Sequence, residues 1–109
     1  MKMIVAVIRP DKFDAVKDAL GEKGYFGMTV HNVCGRGEQR GVTLQYRGKP
    51  VHVDLIDKIE IQMTTCDEKA DEVIDIIQTA AKSGKIGDGR IFVLPVEKAI
   101  TIRTGEVFY

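Results

Sequence analysis

KIEIQMTTCDEKADEVIDIIQTAA, residues Lys58 to Ala81, changes its period part-way along. The first seven residues alternate, with Ile59, Ile61 and Met63 on one side and Lys58, Glu60 and Gln62 on the other. That is the pattern of a strand with one covered face. From Ala70 the apolar positions fall at Val73, Ile74, Ile77 and Ala81, which is helical spacing. Strand therefore turns into helix near Thr65. Thr65 with Glu68 offers a capping box at the junction, and Asp67 is the alternative cap. The helix ends where KSGKIGDGR brings in three glycines.

The same order opens the chain. Met3–Ile8 is almost continuously apolar and rich in Ile and Val, as suits a strand covered on both faces. Pro10 and Asp11 then start a helix, with Phe13, Val16 and Leu20 on one face and Gly21 and Gly24 at its end. Thr29–Cys34 reads as a second strand, Arg90–Val96 as a fourth and Ala99–Arg103 as a short fifth. The order β-α-β, long connection, β-α-β predicts an α+β fold: a two-layer, ferredoxin-like sandwich of the split βαβ kind. Its helices would cover one sheet face. A first strand apolar on both faces therefore predicts packing against other copies of the chain.

At 109 residues the chain is read as a single domain, residues 1–109. Sixteen basic side chains balance sixteen acidic ones, which argues against nucleic acid as a partner. No apolar run reaches the length of about 20 residues that a membrane helix needs, so no membrane insertion is expected. MKMIVAVIRP reads as the first strand of a cytoplasmic protein rather than a signal peptide. Cys34 and Cys66 stand alone and are expected to be buried free thiols, and His31 and His52 lack metal-ligand spacing. Nothing forms a catalytic constellation, so no enzyme is predicted.

Two stretches suggest chemistry. GKIGDGR (Gly84–Arg90) can present successive backbone N–H groups to an anion beside the Arg90 charge, or can be an ordinary turn. GRG (Gly35–Gly37) lies at the end of another strand, where the topology could bring it to the first. Between Gly35 and Lys58 runs a charged segment without helical period, and connections of that length are usually functional. Within it Val42, Leu44 and Tyr46, then Val51, Val53 and Leu55, alternate on either side of RGKP. This predicts a hairpin with a four-residue turn.

With SGKIGDGRIFVLPV (Ser83–Val96), IRTGE (Ile102–Glu106), GMTV (Gly27–Val30) and YRG (Tyr46–Gly48) in view, the chain closely resembles the PII nitrogen-regulatory signalling proteins over essentially its whole length. The resemblance implies a homotrimer with ATP or ADP bound in clefts between subunits. It implies a T-loop at about residues 37–55, a phosphate loop at 83–90 and a C-terminal strand and loop at 97–109. Gly87, Asp88, Gly89 and Arg90 would line the phosphates, together with Gly35 and Gly37. Gly27, Met28, Thr29 and Thr64 would hold adenine and ribose, and Arg103 would reach in from a neighbouring subunit. Gln39 and Lys58 match the 2-oxoglutarate positions, with Gln39 helping to hold a Mg²⁺ ion between ATP and the keto acid. Tyr46, Arg47, Gly48 and Val51 would meet a regulated target. An ammonium transporter, which would draw the protein to the inner face of the membrane, glutamine synthetase and a nitrogenase-linked protein are the kinds implied.

Three positions depart from the family's pattern. Glu38 and Thr101 stand where relatives commonly carry phosphate-facing arginines, and Val51 stands where some carry a modifiable tyrosine. The first two weaken the expected advantage of ATP over ADP and leave open a divergent sensor of adenylate state or of another small anion. A phosphate-handling enzyme on the same topology is a further alternative.

Overall fold

The computed structural model describes residues 1–36, 42–46, 49–53 and 55–109, with the two short internal stretches described as backbone only. β1 (Lys2–Ile8) leads through a 3₁₀ turn at Pro10–Lys12 into α1 (Phe13–Glu22), followed by β2 (Thr29–Gly35). β3 (Val42–Tyr46) and β4 (Lys49–Val53) form a hairpin of their own. β5 (Ile56–Thr65), α2 (Asp67–Ala81) and β6 (Gly89–Pro95) repeat the strand–helix–strand order. The chain ends in a small hairpin of β7 (Ala99–Ile100) and β8 (Val107–Phe108).

The main sheet has four strands in the order β2-β5-β1-β6, with every neighbouring pair antiparallel. This is the ferredoxin-like arrangement. Central placement explains the composition of β1. Ile4, Ala6 and Ile8 are buried beneath the helices with Ile61 and Met63 of β5, while Met3, Val5 and Val7 face the other way and are half-buried. From above, α1 contributes Val16 and Leu20, and α2 contributes Val73, Ile77 and Ala81. Burying each large aliphatic side chain here stabilises the fold by about 1.5–3 kcal/mol. On the open face the register aligns Val5 with Phe92 and Met3 with Leu94, and both β6 side chains remain more than two-fifths exposed.

The ends of elements differ from the sequence expectation in ways the packing explains. Gly21 lies inside α1, and only Gly24, at φ +84°, carries the exit. The Gly24 N–H bonds the Gly21 carbonyl and the Tyr25 N–H the Leu20 carbonyl, a Schellman ending that packs Tyr25 against the core near Leu20. Neither expected cap forms on α2. β5 continues through Thr65, which pairs with Lys2, so Cys66 becomes the N-cap and makes no side-chain capping bond. Asp67 instead meets the Met1 amino group at 2.9 Å. The expected fifth strand stops at Ile100, because the chain turns there and pairs with β8.

The cysteines are a correction. Both are free, but both are exposed, Cys34 on the edge strand β2 and Cys66 at the turn before α2. The Cys34 thiol donates to Asp57 at 3.4 Å, and that carboxylate pushes its pKa up. The β3–β4 hairpin is also tighter than expected. Tyr46 pairs with Lys49 and Gln45 with Pro50, so Lys49 and Pro50 belong to the strand rather than to the turn.

Candidate functional site

The connection from α2 to β6 is built on glycines that the backbone requires. Gly84, Gly87 and Gly89 all have positive φ, between 87° and 99°, where side chains are rarely tolerated. At Gly89 the need is also steric, because a Cβ would fall 1.7 Å from the Val7 carbonyl oxygen. That approach follows from register, since Gly89 pairs with Ile8 and Arg90 with Val7.

One carboxylate holds the loop together. Asp88 accepts the backbone N–H groups of Ser83 and Gly84, each at 2.9 Å, as well as the Ser83 hydroxyl and Arg9 Nε, the latter at 2.9 Å. Bonds from Ser83 first, then Arg9, hold its pKa far below the usual carboxylate range. Arg9 also donates through Nη2 to the Ile86 carbonyl at 2.6 Å, and the Lys58 ammonium donates to the Gly87 carbonyl.

In front of this loop lies a cleft of about 460 Å³, whose walls include Gly35, Lys58, Gly87, Gly89 and Arg90 with Val7 and Phe92. Gly35 pairs with Ile56, so the long segment leaves and rejoins the sheet at the mouth of this cleft. Asp88 does not line it and faces instead a hollow between α2 and β6, beside Ile74, Gln78 and Lys82. A second cleft, about 430 Å³, gathers Phe26, Gly27, Met28, Thr29, Gln62 and Thr64. It lies at the far end of the same strands, where Thr29 pairs with Gln62. Thr64 also borders a hollow formed with Ala99, Ile100, Thr101, Phe108 and Tyr109 of the C-terminal hairpin. Arg103 sits in the turn of that hairpin, which is closed by bonds from Thr101 to Glu106 and from Gly105 to Thr101.

The chain thus sorts the expected site residues into two groups. Gly35, Lys58, Gly87, Gly89 and Arg90 meet at one end of β2, and Gly27, Met28, Thr29 and Thr64 meet at the other. The ends of β2 are separated by about 20 Å at 3.3 Å per residue. Gly37, Gln39, Arg47 and Gly48 lie outside the described residues, while Tyr46 and Val51 are placed only as backbone positions of β3 and β4. Sequence reasoning missed Arg9 and Ser83. A signal for Arg9 existed: an antiparallel partner for Ile8 at Gly89 puts Arg9 beside Asp88.

A family model described as nitrogen regulatory protein P-II matches residues 1–106. The chain belongs to that family. It is 48% identical to nitrogen regulatory protein P-II 2 of Methanothermobacter thermautotrophicus over 106 residues, covering 97% of this chain and 92% of that one. It is likewise similar to the nitrogen regulatory protein P-II of Nostoc punctiforme, at 48% identity, and of Rhizobium meliloti, at 49%, each covering 97% of this chain and 95% of the relative. P-II proteins are signal-transduction regulators of partner proteins rather than enzymes, and they answer to small effectors. Among the described residues, no helix of this P-II chain is long and apolar enough to cross a membrane.

Proposed function

We propose that the protein is a homotrimeric nitrogen-signalling regulator that binds ATP or ADP between subunits and controls a target through the T-loop at about residues 37–55. The observation that carries this reading is the division of the site residues between two clefts at opposite ends of one sheet. A nucleotide using both groups on one chain would have to run the length of β2. Set between chains, the phosphate end of one subunit can face the adenosine end of the next.

In this reading Gly35, Gly37, Gly87, Gly89 and Arg90 receive the phosphates, with backbone N–H groups and the Arg90 guanidinium as the attracting groups. Asp88 supplies its backbone and the shape of the loop. Gly27, Met28, Thr29 and Thr64 receive adenine and ribose, and Arg103 extends from the C-terminal hairpin. Lys58, in the phosphate cleft, is suited to the carboxylate of 2-oxoglutarate. To bind it, the ammonium must exchange the Gly87 carbonyl for the ligand. Gln39 would complete the Mg²⁺ bridge between ATP and the keto acid. That group fits the hard oxygen donors of phosphate and keto-carboxylate. Effectors bound at the roots of the T-loop can change its shape, and so the affinity of Tyr46, Arg47, Gly48 and Val51 for a target such as an ammonium transporter. Cytoplasmic action at the inner membrane face follows from that choice of target.

A second reading has a specific observation behind it. Thr101 takes part in closing the C-terminal hairpin through its backbone and brings no charge, and Lys58 is already engaged. Both favour a sensor of adenylate state indifferent to 2-oxoglutarate. Calorimetry with ATP, ADP and AMP, with and without 2-oxoglutarate and Mg²⁺, separates the two. The first reading predicts that 2-oxoglutarate binds only with Mg-ATP and tightens it, as reciprocal linkage requires. Equal ATP affinity with and without the keto acid would leave the second.

A further inference from the structure

A carboxylate in the middle of a phosphate-binding loop is an electrostatic problem, since it repels the ligand the loop is shaped for. Asp88 is such a residue, between Gly87 and Gly89, which both line the front cleft. Its side chain is turned to the other side of the loop, where Arg9 Nε lies 2.9 Å from Oδ1. Both side chains of this pair are only 24% exposed, so water screens the pair incompletely.

We infer that Arg9 is a positioning residue for phosphate recognition, cancelling the Asp88 charge and holding the loop so that its front face receives an anion. This rests on the reading of the front cleft as the phosphate half of a nucleotide site. Two actions of one guanidinium support it. Nε fixes and neutralises the carboxylate, which Ser83 and Gly84 also bind but do not neutralise. Nη2 fastens the Ile86 carbonyl at 2.6 Å. In a trans peptide the carbonyl and the next N–H point in opposite directions, so this bond turns the Gly87 N–H away from Arg9. Gly87 lines the front cleft and Arg9 does not. The planar fork of arginine makes both bonds at once, whereas lysine, a point charge, cannot reproduce that geometry.

The consequence is a penalty graded by ligand charge. Without the Arg9 cation the Asp88 carboxylate is left uncompensated beside the cleft, and its repulsion grows with the number of phosphates on the ligand. A purely structural loss would weaken all ligands by one factor. The test is calorimetric titration of the wild-type protein, Arg9→Gln and Arg9→Lys with ATP, ADP and AMP at low and high salt, with the melting temperature of each variant recorded. Arg9→Gln is expected to weaken ATP about tenfold and AMP by less than about threefold, with the spread shrinking at high salt. Arg9→Lys keeps the charge and is expected to lose about threefold for ATP; it also serves as the measurement if Arg9→Gln does not fold. Equal weakening of all three nucleotides, or no weakening in a folded variant, would overturn the inference while leaving the nucleotide reading intact. If the wild-type protein binds none of the three, the nucleotide reading fails and the inference falls with it.

Discussion

At Gly89 the start of β6 passes so close to β1 that a Cβ would meet the Val7 carbonyl oxygen at 1.7 Å, with φ at +99°. Gly89→Ala should therefore cost about 2–5 kcal/mol, combining left-handed strain with forced separation of two central strands. Chemical denaturation reads this directly, and a loss under about 0.5 kcal/mol would mean that the approach is looser. The neighbouring Asp88 predicts a pH signature. Its folded-state pKa is depressed by Ser83 and Arg9, so its ionised form favours the folded chain above the ordinary carboxylate range, near 4. That contribution is lost as pH falls below this range. Asp88→Asn should be less stable than the wild type at neutral pH, with the gap closing in acid; a gap independent of pH would contradict the assignment. Legibility differed sharply between these neighbours. The glycines were visible in sequence because φ > 0 selects them, whereas the role of Asp88 was not. Its partners Arg9 and Ser83 lie 79 and 5 residues away, and only strand register brings the first near.

The central elements were readable because each has a period and a covered face. α2 shows it most simply: Ala70, Val73, Ile77 and Ala81 are buried as their spacing predicts. Element ends were less readable, since they depend on where a neighbouring strand stops. Thr65 looked like a cap but is spent on β5. The result is an α2 N-terminus whose N-cap, Cys66, makes no side-chain bond. Cys66→Ser should accordingly stabilise the protein by about 0.5–1 kcal/mol, because serine is a preferred cap. A thermal melt unchanged or lowered by this substitution would mean that the turn geometry does not let a hydroxyl reach the first-turn N–H groups. The exposed cysteines were misread for a related reason. The expectation of burial rested on each cysteine standing alone without a partner, but an edge strand and a helix-entry turn leave both thiols at the surface of the chain.

On the scale of the whole molecule, the sheet face opposite the helices carries Met3, Val5 and Val7 beside Phe92 and Leu94, the last 44% exposed. Covering this face is the assembly expectation that the first strand already raised. Leu94→Glu should dissociate the proposed trimer, read by light scattering, and a trimer unaffected by that charge would place the interface elsewhere. In the proposed trimer, nucleotide sites join the phosphate end of one chain to the adenosine end of the next. Two variants test this. Of the two proposed nucleotide clefts, Arg90→Glu damages only the front one, and Gly27→Phe fills only the far one, where a Cβ meets nothing within 4 Å. The decisive measurement is ATP titration of each variant alone and of the two refolded together. Each variant alone should fail to bind, while mixed trimers should regain about one working cleft apiece, where an intact front meets an intact far end. A mixture that contains mixed trimers yet binds no ATP would contradict the account.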